Sequence, residues 1–152
     1  HRVSQEILGG PVAFELAIVN ADKPSLDFHS IDQRRAQFDV ALLAVTRAPL
    51  FVDKARLFPN TTFVVGYDTA VRLIDPRFYG QSAEQMHAAL AELRRLGARF
   101  LVAGRLTNAG FLMFDSLAVP SGYDDLFESI PESRFRADIS STVLRRARGE
   151  AD

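Results

Sequence analysis

The alternation of strand-like and helix-like segments is the feature that most constrains how this chain can fold. Short apolar or β-branched runs, such as residues 12–19 and 61–65, are separated by segments with helical caps and helical spacing, such as residues 82–96. Strands connected through helices form right-handed crossovers, so the strands run parallel and helices cover both faces of the sheet. We therefore predict an α/β fold, more specifically a Rossmann-like three-layer α/β/α arrangement around a mostly parallel sheet.

The same patterns give the boundaries of the predicted elements. The predicted strands are residues 12–19, 41–46, 61–65 and 99–103, with weaker candidates at 111–113 and 117–119. The predicted helices are residues 2–8, 30–38, 49–58, 69–74 and 82–96, a short segment at 123–127, and a last helix that begins at Ser140 or Ser141. Ser30 and Ser82 are expected N-caps, whereas Gly9 and Gly97 are expected to end helices.

Length and composition limit the number of domains and the classes of partner. The 152 residues, without a linker or a shift in composition, predict a single domain over residues 1–152. The net charge of −1 provides no general attraction to nucleic acid or to an anionic membrane. The absence of cysteine excludes disulfides and thiolate metal sites and suits the reducing cytoplasm. We therefore expect a cytoplasmic protein that binds neither nucleic acid nor membranes, and homo-oligomer formation is left open.

Polar residues follow several of the predicted strands. In parallel sheets, ligands bind beyond the carboxyl ends of the strands. The residues at such positions are Asn20, Lys23, Thr46, Arg47, Gly66, Asp68, Gly104 and Arg105. A glycine there lets the backbone approach a ligand closely, and a carboxylate can accept hydrogen bonds from a ribose diol. The alternative for Asp68 is a helix N-cap, and for Lys23 a solvated turn.

The segment around Ser140 has the features of a phosphate-binding helix start. Ser140, Ser141 and Thr142 would lie where free backbone N–H groups and the positive end of a helix dipole point outward. Arg145 would project from the same face one turn later. Such groups suit a phosphate, although a simple N-cap followed by a solvated arginine has the same sequence. The chain contains neither a G-x-G-x-x-G nor a Walker A sequence.

Three segments together resemble the nucleotidyltransferase superfamily. Residues 135–145, which include Ile139, resemble its I-S-S-T-x-x-R signature. Residues 63–68 resemble its strand followed by Gly-x-Asp, and residues 100–105 resemble the next strand. The resemblance is closest to the nicotinamide- and nicotinate-mononucleotide adenylyltransferase-like branch, and the superfamily also includes the cytidylyltransferases.

The resemblance implies transfer of a nucleotidyl group, adenylyl in this branch, from ATP to a phosphorylated acceptor such as nicotinamide mononucleotide, with release of pyrophosphate. The triphosphate would be bound by Gly66, Asp68, Arg105, Ile139, Ser140, Ser141, Thr142 and Arg145. Asn20 and Lys23 would bind the acceptor. Mg²⁺ would be carried by the nucleotide phosphates, so that no dedicated protein metal site is expected.

The beginning of the chain departs from the superfamily pattern. The first strand and the G-x-F-x-P-x-H-x-G-H motif, whose histidines stabilise the transferring phosphate, are missing, so the catalytic residues are unknown. We expect the chain to be N-terminally incomplete and interpret His1 as an ordinary mid-helix or vector-derived residue. Two alternatives to the adenylyltransferase remain, a nucleotide-binding or regulatory module with impaired catalysis and a cytidylyltransferase.

Overall fold

The computed structural model describes residues 1–19, 27–38, 42–107 and 110–136. The chain divides into two compact units, unit 1 over His1–Asn60 and unit 2 over Thr61–Asp152. The described residues contain five α-helices, and both units contain parallel strands, so the predicted α/β class is confirmed. Among these residues, no helix combines the length and the apolar character that crossing a membrane requires.

Unit 1 contains a pair of parallel strands. Its elements are α1 (Arg2–Leu8), β1 (Phe14–Ala17), α2 (Phe28–Arg35) with a 3₁₀ turn at Ala36–Phe38, β2 (Leu43–Thr46) and α3 (Phe51–Leu57). β1 and β2 pair in parallel, with Phe14 opposite Leu43 and Ala17 opposite Thr46. The two strands therefore end side by side, which brings the residues after them to one edge.

The ends of the unit 1 helices follow local capping chemistry. Gly9 ends α1 as predicted, with φ of 64° and its N–H bonded to the carbonyl of Gln5. The prediction that Ser30 caps α2 is wrong. The cap is Asp27, whose carboxylate accepts a 2.7 Å hydrogen bond from the backbone N–H of Ser30. That bond also lowers the pKa of Asp27, because it stabilises the charged carboxylate.

Unit 2 is built around three parallel strands. Its elements are β3 (Thr62–Gly66), α4 (Tyr67–Leu73), a 3₁₀ helix (Pro76–Tyr79), α5 (Ala83–Arg95), β4 (Arg99–Ala103), β5 (Arg105–Thr107), β6 (Gly110–Leu112), two further 3₁₀ helices (Phe114–Ser116 and Asp124–Leu126) and β7 (Phe127–Ser129). The parallel strands lie in the order β3-β4-β7, and β5 and β6 form an antiparallel hairpin. Because β4 has a neighbour on each side, it is the most buried strand, with Phe100, Leu101 and Val102 fully inaccessible to solvent.

A row of phenylalanines crosses this sheet. Phe63 of β3 and Phe127 of β7 are both register partners of Phe100. The ring centroid of Phe100 lies 5.8 Å from that of Phe63 and 5.3 Å from that of Phe127, and both pairs are stacked. A slip of one residue would turn a ring to the opposite face of the sheet, so this row fixes the strand register.

Helix α5 has the amphipathic pattern that the sequence predicted. Ser82 caps it by accepting a 3.1 Å hydrogen bond from the N–H of Gln85. The buried residues on α5 are Met86, Leu90 and Leu93. Gly97 follows the helix with φ of 70°, a conformation that favours glycine.

The last part of unit 2 differs from the prediction. Residues 117–119 do not form a strand, and the helix predicted at residues 123–127 is a 3₁₀ turn at Asp124–Leu126 that leads directly into β7. β5 and β7 were not predicted at all. Each has three residues and therefore too few positions for a recognisable alternation, and each exists only because a partner strand lies beside it.

Gly104 allows the close approach of the β5–β6 hairpin to the end of β4. A Cβ at this position would lie 2.5 Å from Cε1 of Phe111 and 2.9 Å from the carbonyl oxygen of Leu112. We expect Gly104→Ala to lower the free energy of unfolding by about 1–3 kcal/mol, measured by chemical denaturation, because the hairpin must move to admit the methyl group. The control is Gly66→Asn, where no described heavy atom lies within 4 Å of a Cβ. Equal stability of Gly104→Ala and the native chain would contradict this account.

Candidate functional site

The carboxyl ends of β3 and β4 bring together three of the residues that the sequence singled out. Gly66 is the last residue of β3 and lies opposite Ala103, the last residue of β4. Asp68 lies in the first turn of α4, two residues after the end of β3, and Arg105 lies two residues after the end of β4. Parallel pairing in this register places both side chains at one edge of the sheet.

Asp68 and Arg105 form a direct ion pair at this edge. Nη1 of Arg105 contacts Oδ2 of Asp68, and the side chains are 41% and 53% exposed, respectively. Asp68 is not the N-cap of α4: that position belongs to Gly66, and no side chain caps the helix. The carboxylate is therefore paired with Arg105 rather than with the helix backbone.

The fold itself does not require a glycine at position 66. Its φ of −80° and ψ of 161° are accessible to any residue, and no heavy atom of the described chain lies within 4 Å of a Cβ built there. Glycine is only moderately favoured at an N-cap. A side chain at position 66 would occupy open space beside the backbone, next to the Asp68–Arg105 pair.

These three residues have complementary chemistry. A guanidinium binds phosphate or carboxylate oxygens with two parallel hydrogen bonds, and a carboxylate accepts hydrogen bonds from hydroxyl groups. An ion pair as exposed as this one contributes little to stability, so its members can exchange partners with a ligand at low cost. The edge can therefore accommodate a molecule that carries both a phosphate and a hydroxyl group.

The other predicted site residues lie outside the described residues. These are Asn20, Lys23, Ile139, Ser140, Ser141, Thr142 and Arg145. Within the described ranges, no group of three or more histidine, aspartate and glutamate side chains could hold a metal ion.

His1 contacts residues 12 and 14, just before and at the start of β1. It is the residue directly before α1, and its Nε2 is 2.8 Å from the carbonyl oxygen of Val12. Its ring stacks on Phe14 with a centroid distance of 5.1 Å. Phe14 is the first residue of β1 and Val12 lies two residues before it, at the opposite end of the strand from the edge where β1 and β2 terminate. The described contacts of His1 are thus packing contacts.

A second polar cluster lies within unit 1 and joins Glu15, Thr46 and Lys54. Lys54 is 7% exposed, and its Nζ donates a 2.6 Å hydrogen bond to Oε2 of Glu15. The hydroxyl of Thr46 donates to the other carboxylate oxygen of Glu15 and accepts a 3.4 Å bond from the N–H of Ala48. The cluster therefore ties β1, the end of β2 and α3 to one another.

Sequence reasoning placed Thr46 after a strand but did not connect it with Glu15 and Lys54, although signals for the cluster were present. Glu15 is the only charged residue in the apolar run of residues 12–19, and Lys54 is one of two lysines in the chain. A single charge within a buried strand usually has a partner of opposite charge. Which residue is the partner was not readable, because the two are 39 positions apart.

Two groups of polar residues thus lie at or near the carboxyl ends of parallel strands, one in each unit. The chain matches no family model, and neither the curated proteins nor the solved structures include a significant match to it. The chemistry of these residues is therefore the basis for a functional proposal.

The Glu15–Lys54 pair is expected to behave as a coupled, partly buried ion pair. We expect Lys54→Met to lower the free energy of unfolding by about 1–3 kcal/mol, because the Glu15 carboxylate loses its cation in a poorly solvated position. The double variant Glu15→Gln with Lys54→Met is expected to recover most of that loss. Denaturant titrations of the native chain, of Glu15→Gln, of Lys54→Met and of the double variant measure the coupling between the two side chains.

A matched control is available in the same unit. Arg2 has a side chain that is 89% exposed, so Arg2→Met is expected to change stability by less than about 0.5 kcal/mol. If the Lys54 and Glu15 substitutions were simply additive, the pair would not be coupled.

Proposed function

We propose that this protein is a nucleotidyltransferase that moves an adenylyl group from ATP to a phosphorylated acceptor such as nicotinamide mononucleotide. In this proposal residues 1–152 form one nucleotidyltransferase-like domain with a Rossmann-like three-layer α/β/α arrangement. The observation that carries the proposal is the meeting of Asp68 and Arg105. The two residues come from separate sequence segments that resemble consecutive elements of the superfamily, and they lie together at a strand edge suited to ligands.

Each residue at this edge has a role in the proposal. The open space beside Gly66 lets the nucleoside side of the triphosphate approach the backbone. Asp68 accepts hydrogen bonds from the ribose hydroxyls, and Arg105 exchanges Asp68 for a phosphate oxygen.

Residues outside the described ranges complete the proposed site. Ser140, Ser141, Thr142 and Arg145 hold the β- and γ-phosphates, while Asn20 and Lys23 bind the acceptor. Mg²⁺ bound to the phosphates offsets their charge.

The proposed reaction is a direct displacement at the α-phosphorus. An oxygen of the acceptor phosphate forms a new bond to that phosphorus while the bond to the β-phosphate oxygen breaks, and the electron pair leaves with pyrophosphate. No covalent enzyme intermediate is required. The protein contributes the alignment of the two phosphates and the cations that stabilise charge on the leaving oxygens.

The test is an assay of pyrophosphate release by the full-length protein with Mg²⁺, across a matrix of nucleoside triphosphates and phosphorylated acceptors. We expect release only when ATP and an acceptor are both present, with a dinucleotide formed in equal amount. A preference for CTP would identify the cytidylyltransferase alternative. Triphosphate binding without turnover of any pair would contradict the enzyme and favour the nucleotide-binding module.

A substitution at Gly66 is expected to affect nucleotide binding without affecting the stability of the fold. Gly66→Asn introduces a side chain that is well suited to an N-cap and whose Cβ has open space around it, so stability is expected to be unchanged. The same side chain fills the space proposed for the nucleotide. We expect ATP affinity, measured by calorimetry, to fall at least about tenfold. Native affinity in this variant would count against the position of the nucleotide.

Arg145 is expected to act on the triphosphate rather than on the acceptor. Arg145→Ala should weaken ATP binding roughly 10- to 100-fold, because a charge-assisted bond to phosphate is lost, and should leave acceptor binding nearly unchanged. Arg146→Ala removes the same charge one position later and is the control. Equal losses for both ligands, or equal effects of the two substitutions, would refute the assigned role.

A further inference from the structure

An open cavity lies at the carboxyl end of β2 in unit 1. Its volume is about 640 Å³, within the range of small-molecule sites in proteins. One wall is apolar and includes Val45, Leu57 and Phe58. Val45 and Leu57 are 48% and 58% exposed, which is high for apolar side chains beside a concave surface. The cavity therefore offers apolar surface that the described residues of unit 1 leave uncovered.

The polar side of the cavity is held in place by the buried cluster described above. Thr46 lines the cavity and is 7% exposed, and its hydroxyl is fixed between Glu15 and the N–H of Ala48. Lys54, one helical turn before Phe58, is bound to the same carboxylate. Cavity residues from both β2 and α3 are thus anchored to one ion pair, so that the site is largely preformed.

The charges around the cavity favour an anion. Three charged residues line it, Arg47, Asp53 and Arg56. Asp53 is paired with Arg56 through a 3.1 Å contact. Arg47 is exposed, and within the described parts of the chain it makes no ion pair. Among the described residues, the positive charge of Arg47 therefore has no carboxylate paired with it at this rim.

We propose that this cavity binds a small aromatic anion, with its oxyanion on the Arg47 guanidinium and its ring against Leu57 and Phe58. A phosphate and a carboxylate each present two oxygens that a guanidinium can bind through parallel hydrogen bonds. The concave shape and the volume of the cavity suit a small molecule, whereas a stable interface between protein chains buries roughly 800 Å² on each partner. The residues that line this cavity differ from those proposed above to bind the triphosphate and the acceptor, so the two proposals can be tested separately.

Four probes test the proposal by ligand-observed NMR titration of the full chain. They are naphthyl phosphate, naphthoate, naphthalene methanol and inorganic phosphate. We expect the two aromatic anions to bind in the millimolar range, and the uncharged alcohol and the inorganic phosphate to bind at least about tenfold more weakly. The two anions also show whether a phosphate or a carboxylate is preferred. Absence of binding of both anions at about 10 mM would overturn the proposal.

Two substitutions locate the probe. Arg47→Gln is expected to weaken naphthyl phosphate at least about tenfold, and Arg2→Gln, which removes a charge elsewhere in unit 1, is expected to have no effect. Leu57→Ser should weaken both aromatic anions severalfold while circular dichroism and thermal melting remain those of the native chain. Equal effects of the two arginine substitutions would refute the site.

The oligomeric state tests the remaining alternative, in which a second copy of this chain occupies the cavity. Sedimentation of the native chain and of Leu57→Ser is expected to give the same state. If Leu57→Ser instead dissociated an oligomer, the cavity would be an interface between copies of this chain and the small-ligand proposal would fail. If the native protein bound the probes but released no pyrophosphate, only the proposed transferase activity would be refuted.

Discussion

The stacked row of Phe63, Phe100 and Phe127 is the interaction on which the geometry of unit 2 depends. It sets the register of three parallel strands and makes β4 the buried centre of the sheet. Because β3 and β4 are in register, they end at the same level, and the chain continues from both at one edge. The contact between Asp68 and Arg105 is a consequence of that register.

The Asp68–Arg105 and Glu15–Lys54 ion pairs differ in solvent exposure, and this difference suits them to different tasks. Asp68 and Arg105 are about half exposed, so water screens their attraction and a ligand can replace either partner. Lys54 is almost fully buried against Glu15, where an unpaired charge would be costly, so this pair holds strands and helix together. The first is suited to exchange with a ligand, and the second to the support of a preformed cavity.

Local patterns predicted a large part of the fold. The strand at residues 99–103 and the α5 helix with its Ser82 cap were predicted with correct boundaries to within a residue. The predictions failed where short elements depend on a partner, as in β5 and β7, and at the α2 cap, where Asp27 takes the place expected for Ser30. A three-residue strand has no periodicity of its own, and two capping residues three positions apart compete on local geometry that the sequence leaves undecided.

Sequence alone determined which residue types follow each strand, because strand propensity, capping and glycine preference act over a few neighbouring positions. It thereby identified Gly66, Asp68 and Arg105 as three separate candidates. Only the tertiary structure decided that Asp68 pairs with Arg105 rather than capping α4, and that Glu15 pairs with Lys54 across 39 residues. Such contacts depend on strand order and register, which arise from the burial of side chains distant in the chain.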